Sequence, residues 1–174
     1  SILIVRNGAA TESINSLKKS GLKTIILAQW CHPNFQQTHV ENSYSKLGIK
    51  FIQKSDNLKK RQIRDYSLAD RIWTFCNFSA ETFTDEGISP SKLIIQHTGA
   101  DKNKFYFRDS DYLHKNKKNQ FRLLFIGNIS PEKGVESILK YLLSSMCKVT
   151  EMIFMGGINP VFLNYFETNI IKIQ

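Results

Sequence analysis

Short apolar runs alternating with amphipathic stretches predict an α/β protein built on parallel sheets. Two further observations support that class. Glycines recur where a helix should end or a strand should turn, at Gly21, Gly48, Gly87, Gly127 and Gly134. The apolar content is 41% against 22% charged residues, the balance of a folded globular chain.

Taken in order, Ile2 to Val5 reads as a strand and Thr11 to Ser20 as a helix closed by Gly21. Lys23 to Ala28 reads as the next strand. After His32-Pro33 the chain turns polar, and Gln36 to Leu47 fits a helix ending at Gly48. Asp56 to Leu68 is predicted as a strongly basic helix, Arg71 to Phe75 as a short strand, Ser79 to Glu86 as a helix and Lys92 to Ile95 as a strand. Between Asp101 and Gln120 the composition becomes polar and basic with no clear period, which reads as a linker. The rhythm then restarts: Phe121 to Ile126 as a strand, Pro131 to Ser144 as a helix, Glu151 to Met155 as a strand, Pro160 to Thr168 as a helix and Asn169 to Ile173 as a last strand. The expected organisation is a first Rossmann-like domain over residues 1–104, a linker over 105–120 and a second Rossmann-like domain over 121–174. The opening strand looks entered part-way, so upstream material is expected. The first residues given do not read as a signal peptide, and no apolar run approaches the ~18 residues of a bilayer span.

The three cysteines, Cys31, Cys76 and Cys147, are too far apart for a Cys-x-x-Cys site and read as free thiols in a reducing compartment. The net charge is +9, concentrated in Lys46 to Arg64 and Lys102 to Arg122. Such a balance points to an anionic partner: a phosphate-bearing substrate, a membrane surface or nucleic acid. A solvated basic face is the plainer reading of each cluster.

The segment with chemistry in it is Gly127-Asn128-Ile129-Ser130-Pro131-Glu132-Lys133-Gly134, which follows a buried-strand pattern and precedes a helix. Ser130 suits an N-cap and Pro131 the first helical position. Lys133 opposes the helix dipole unless an anion sits there, and Gly127 allows a ligand close to the backbone. The spacing fits neither the Walker loop nor Gly-x-Gly-x-x-Gly, and a plain strand-to-helix connection remains an open alternative.

These residues resemble the loop that opens the C-terminal domain of retaining glycosyltransferases of family four, the glycosyl transferases group 1. Leu68-Ala69-Asp70-Arg71-Ile72-Trp73 with Phe78-Ser79 resembles a second family segment. Gly87-Ile88-Ser89-Pro90-Ser91-Lys92-Leu93-Ile94-Ile95, with His97-Thr98-Gly99-Ala100-Asp101 and Phe105, resembles a third, the last strand of the N-terminal domain and the interdomain hinge. Trp30-Cys31-His32-Pro33 is similar to a strand end that carries a histidine near the sugar.

The resemblance implies a GT-B fold and a nucleotide-sugar donor, with no metal and no further cofactor. It implies transfer of the sugar, with retention, to a glycan or lipid-linked acceptor in cell-envelope glycan synthesis. The location implied is cytoplasmic, peripheral to the inner face of the membrane. Carried over residue by residue, Gly127, Asn128, Lys133 and Gly134 would hold the donor diphosphate. Lys133 and His32 would be catalytic, and Gly99 and Asp101 would form the hinge. Lys133 would neutralise charge on the leaving diphosphate. The family's arginine after the first glycine is Asn128 here, which weakens that stabilisation. The family's paired glutamates, with seven residues between them, do not occur between Gly127 and Gln174. The chain is therefore expected to be a fragment, inactive alone.

Two other classes stay open: a non-catalytic glycosyltransferase-like scaffold, and a basic nucleic-acid-binding module, which is not expected because no recognised binding motif occurs and the aromatics fall mostly in apparent strand and core positions. The basic helix Asp56 to Leu68 is a candidate for docking on an anionic membrane surface, with only Leu58, Ile63 and Leu68 as apolar residues for insertion.

Overall fold

A computed structural model describes residues 1–51, 56–106, 121–144, 146–149 and 151–171. Among them the chain is α/β with two parallel sheets, and it divides into two compact units. The first comprises residues 1–39 and 52–100, the second residues 40–51 and 101–174. The division at Ala100 and Asp101 falls four residues before the sequence-based limit of 104, and residues 40–51 go with the second unit. Most of the expected linker, from 107 to 120, lies outside the described residues.

In the first unit, β1 (Ile2–Arg6), β2 (Lys23–Leu27), β3 (Arg71–Thr74) and β4 (Leu93–Ile95) lie side by side in chain order, all parallel. Alternation along each strand sends every second side chain to one face. The register aligns Val5, Ile26, Ile72 and Leu93 in one row across all four strands. That row packs against Ile14 of α1 (Thr11–Lys18), Tyr66 of α3 (Asp56–Leu68) and Phe83 of α4 (Asn77–Thr84). On the other face Ile2 and Ile4 stay 66% and 52% exposed. Two polar side chains tie neighbouring strands together. Thr24 donates to Asp70 through both its N–H and its hydroxyl, joining the starts of β2 and β3, and these bonds hold the Asp70 carboxyl below its usual range. Asp70 belongs to the Ala69-Asp70-Arg71-Ile72 stretch, so here that stretch serves the strand pairing.

In the second unit β5 (Arg122–Ile126) pairs in parallel with β6 (Glu151–Met155). Phe125 and Phe154 lie opposite each other in the register and pack with Val135 and Leu139 of α5 (Val135–Leu142) and Phe166 of α6 (Leu163–Ile171). Leu47 and Ile49 join this core from the segment after α2 (Pro33–Ser45).

Three boundaries differ from expectation for identifiable reasons. The helix expected over 131–144 is broken at Gly134, whose φ of +74° ends a single 3-10 turn at Pro131–Lys133, so α5 starts only at Val135. The strand expected over 169–173 is not formed through Ile171, because α6 continues to that residue; 172 and 173 lie outside the described residues. The local β preference of Asn-Ile-Ile yields to helical spacing, which turns Phe162, Phe166 and Ile170 onto one core. The helix expected from Gln36 begins at Pro33, a residue suited to a first turn.

Candidate functional site

The Gly127–Gly134 loop leaves the C-terminal end of β5, the side of a parallel sheet where ligands bind in open α/β folds. Gly127 runs at φ +145°, and its N–H donates to Met155 O at 2.9 Å. Gly156, the first residue past β6, runs at φ +148°. Its hydrogen faces the neighbouring chain so closely that a Cβ there would lie 1.9 Å from Gly127 O. The two strand exits therefore lie backbone against backbone. They stay joined beyond the sheet, since Ile129 N donates to Gly157 O at 2.8 Å and Asn159 N to Ile129 O at 3.0 Å.

Ser130, expected to cap a helix, makes no side-chain cap. It is fully buried and its hydroxyl reaches Asn128 O at 3.4 Å instead. The reason is the 3-10 turn that follows, which closes through Lys133 N to Ser130 O at 3.2 Å. Asn128, Lys133 and Gly134 are exposed along this turn, and Gly127 is half-buried.

Beneath the turn sits a polar cluster that local sequence patterns do not reveal. Asn159 Nδ2 donates to the Tyr44 hydroxyl at 2.8 Å, and the Tyr44 hydroxyl bonds in turn to the Glu132 carboxylate. Burial, reinforced by the neighbouring Glu132 charge, pushes the Tyr44 hydroxyl up to about 12. Glu132 Oε2 is buried without a hydrogen-bond partner among the described residues. Glu132 thus anchors the turn inward while the next residue, Lys133, is exposed.

His32 is in the first unit, and its imidazole is only 5% exposed. It meets Phe83 edge-on at 5.3 Å and Tyr66 at 6.4 Å. His32 N donates to Thr82 Oγ1, and Asn34 N donates to Nδ1 at 3.3 Å, which fixes Nδ1 as an acceptor. Burial lowers the imidazole below the ordinary histidine value, with Glu86 at 3.8 Å pulling the other way. A cleft of about 360 Å³ opens beside it, bordered by Ile63 and Ser67 of α3 and by Glu86 to Ser89.

Gly99 is exposed, and a side chain there would meet nothing within 4 Å. Asp101 closes a turn: its Oδ1 accepts from Asn103 N at 2.9 Å, and its carbonyl from Lys104 N and Phe105 N. The boundary between the two units runs between these residues.

Of the apolar residues of α3, Ile63 and Leu68 are turned to the protein, while Leu58 stays 54% exposed. Leu58 reaches over Gly8, Ile63 lines the cleft beside His32 and Leu68 packs on the core. Asp65 carries no local sequence signal. This fully buried carboxylate accepts from Gly8 N at 2.7 Å, Ala10 N at 3.2 Å and the Thr11 hydroxyl. It fills the amides that precede α1, fifty-seven residues away in the chain from its Gly8 partner.

Among the described residues no group of three or more histidines, cysteines or acids is placed to hold a metal ion, and no helix is long and apolar enough to cross a membrane. Compared with known proteins, the chain matches no protein-family model, and no curated protein matches it.

Proposed function

We propose that the Gly127–Gly134 turn is the diphosphate-binding half of a nucleotide-sugar site in a retaining glycosyltransferase of the GT-B type. The acceptor would be a glycan or a lipid-linked sugar, and neither metal nor cofactor enters the reading. The observation that supports it best is the turn itself. It follows the C-terminal end of a parallel strand and carries Asn128, Lys133 and Gly134 exposed along its length. A diphosphate laid on Gly127 would meet the Lys133 ammonium and the Asn128 side-chain amide. As the glycosidic bond breaks, negative charge grows on the departing diphosphate, and a cation already in place lowers that barrier without rearranging. The anchor through Glu132, Tyr44 and Asn159 holds the turn in shape before the ligand arrives. His32, buried and neutral, is given no proton-transfer step.

Calorimetric titration with UDP, GDP and their sugars tests the reading. At least one should bind, and Lys133→Ala should weaken it by about tenfold, the size of one lost charge-assisted hydrogen bond. Absence of binding by every nucleotide, or equal affinity in the variant, would sink the proposal. Asn128 favours a second reading, a scaffold that binds the donor without turning it over. Asn128→Arg should then tighten diphosphate binding and produce no transfer.

A further inference from the structure

We propose that the cleft between α1 and α3 is a binding site for a phosphate group, held by the guanidiniums of Arg61 and Arg64. The cleft has a volume near 590 Å³, and both arginines line it opposite Ser13 and Asn15 of α1.

The architecture that puts them there is the Asp65 contact. Asp65 is 0% exposed and bound to the amides of Gly8 and Ala10 and the hydroxyl of Thr11, which locks α3 against the turn that opens α1. The amides before α1 are thereby already taken, so the end of that helix is not what the cleft offers a ligand. What it offers is the pair of arginines one residue and one turn before Asp65 on α3.

Both arginines are exposed, and among the described residues neither has a carboxylate within ion-pair distance. Arg61 and Arg64 are three residues apart, and Lys60 stands four before Arg64. Like charges at those spacings destabilise a helix, a strain that a bound anion relieves. The outward stripe of α3 runs Asn57, Lys60, Arg61, Arg64, Ser67, all exposed and without an acid. Glu12 is the one carboxylate lining the cleft, leaving the two guanidiniums in excess by one charge.

A guanidinium presents paired N–H groups in a plane and matches two oxygens of one phosphate, which a lysine cannot do. The Ser13 hydroxyl and the Asn15 amide supply neutral donors for the remaining oxygens. The phosphate can belong to a soluble phosphoester or to a lipid headgroup, since the same stripe faces outward. The site lies wholly in the first unit and does not rest on the donor-site reading of Gly127–Gly134.

The 174-residue chain is titrated calorimetrically with pyrophosphate at low salt. In a second arm it is sedimented with vesicles of phosphatidylcholine, with and without phosphatidic acid. Binding in either arm should fall at least tenfold in Arg61→Gln/Arg64→Gln and stay within twofold in Lys18→Gln/Lys19→Gln. Arg-dependent binding of pyrophosphate identifies a soluble ligand, and Arg-dependent binding of acidic vesicles alone identifies a headgroup. Arg61→Lys/Arg64→Lys, which keeps the charge and loses the planar fork, should bind with intermediate strength and decides the matter if the glutamine variant misfolds. No arginine-dependent binding in either arm overturns the proposal. An equal loss in Lys18→Gln/Lys19→Gln, wild-type affinity in the lysine variant, or arginine-dependent retention on an oligonucleotide alone does the same.

Discussion

At Gly156 the backbone runs at φ +148°, and a Cβ would lie 1.9 Å from the carbonyl oxygen of Gly127. Gly127 itself runs at φ +145°, but a Cβ there would meet nothing closer than the Phe125 ring at 3.9 Å. The two substitutions should therefore differ. Gly127→Ala carries only the conformational strain, about 1–3 kcal/mol. Gly156→Ala adds a backbone collision, and its loss should exceed that of Gly127→Ala by at least about 1 kcal/mol. Urea melts of the two variants check the order, and a smaller loss at Gly156 would show that the strand exits part easily. Gly127 and Lys133 were legible in the sequence because their signal is local, a strand pattern followed by glycine and lysine at a turn. The role of Gly156 was not, because it depends on a chain segment packed beside it.

Helix α3 and strand β6 were readable to the residue, over 56–68 and 151–155, since each has clear boundaries: Asp56 at one end and Gly156 at the other. Helix α6 was misread over 169–171, where β-branched residues lie in a helix whose spacing serves Phe162, Phe166 and Ile170. Tertiary packing settled the matter there, and a short window does not contain it. The contact between α1 and α3 was invisible for the same reason, since Asp65 and Gly8 lie fifty-seven positions apart. It makes its own prediction. Asp65→Ala leaves three buried or half-buried donors unmet and should cost about 3 kcal/mol or more, while Asp65→Asn keeps one acceptor oxygen and should cost less. Amide exchange at Gly8 and Ala10 should speed up in both, more in the alanine variant. Unchanged exchange there would mean that the carboxylate does not hold α1 in place.

Across the whole molecule the titrating groups act from both ends of the pH scale. The unfolded chain takes up a proton on His32 near 6.5, while the buried imidazole resists it. The unfolded state then binds more protons, so stability falls as pH drops below about 6.5. Tyr44 behaves in the opposite sense: unfolded it ionises near 10.0, folded only at about 12. Stability should fall as pH rises from 10.0; the share from Tyr44 levels off past about 12, and Tyr66, raised further by burial, extends the decline. Thermal melts from pH 5 to 12 should show a plateau between these limbs. Tyr44→Phe should flatten the alkaline limb without abolishing it, and an unaltered limb would count against the Tyr44 assignment. The parallel α/β class was legible at this scale from rhythm alone. The membership of residues 40–51 in the second unit was not, because Leu47 and Ile49 look like any helix end until their core is seen.

The outer rows of the two sheets have a practical consequence. Ile2 and Ile4 on one, and Leu124, Ile126, Ile153 and Met155 on the other, remain between 41% and 69% exposed in the folded chain. A fluorescent dye such as ANS therefore has apolar surface to bind before anything melts. Brightening of that dye is commonly taken as a mark of a loosened core. For this protein it will report native surface as well, and the integrity of a variant is better judged by the near-ultraviolet circular dichroism of its packed aromatic rings.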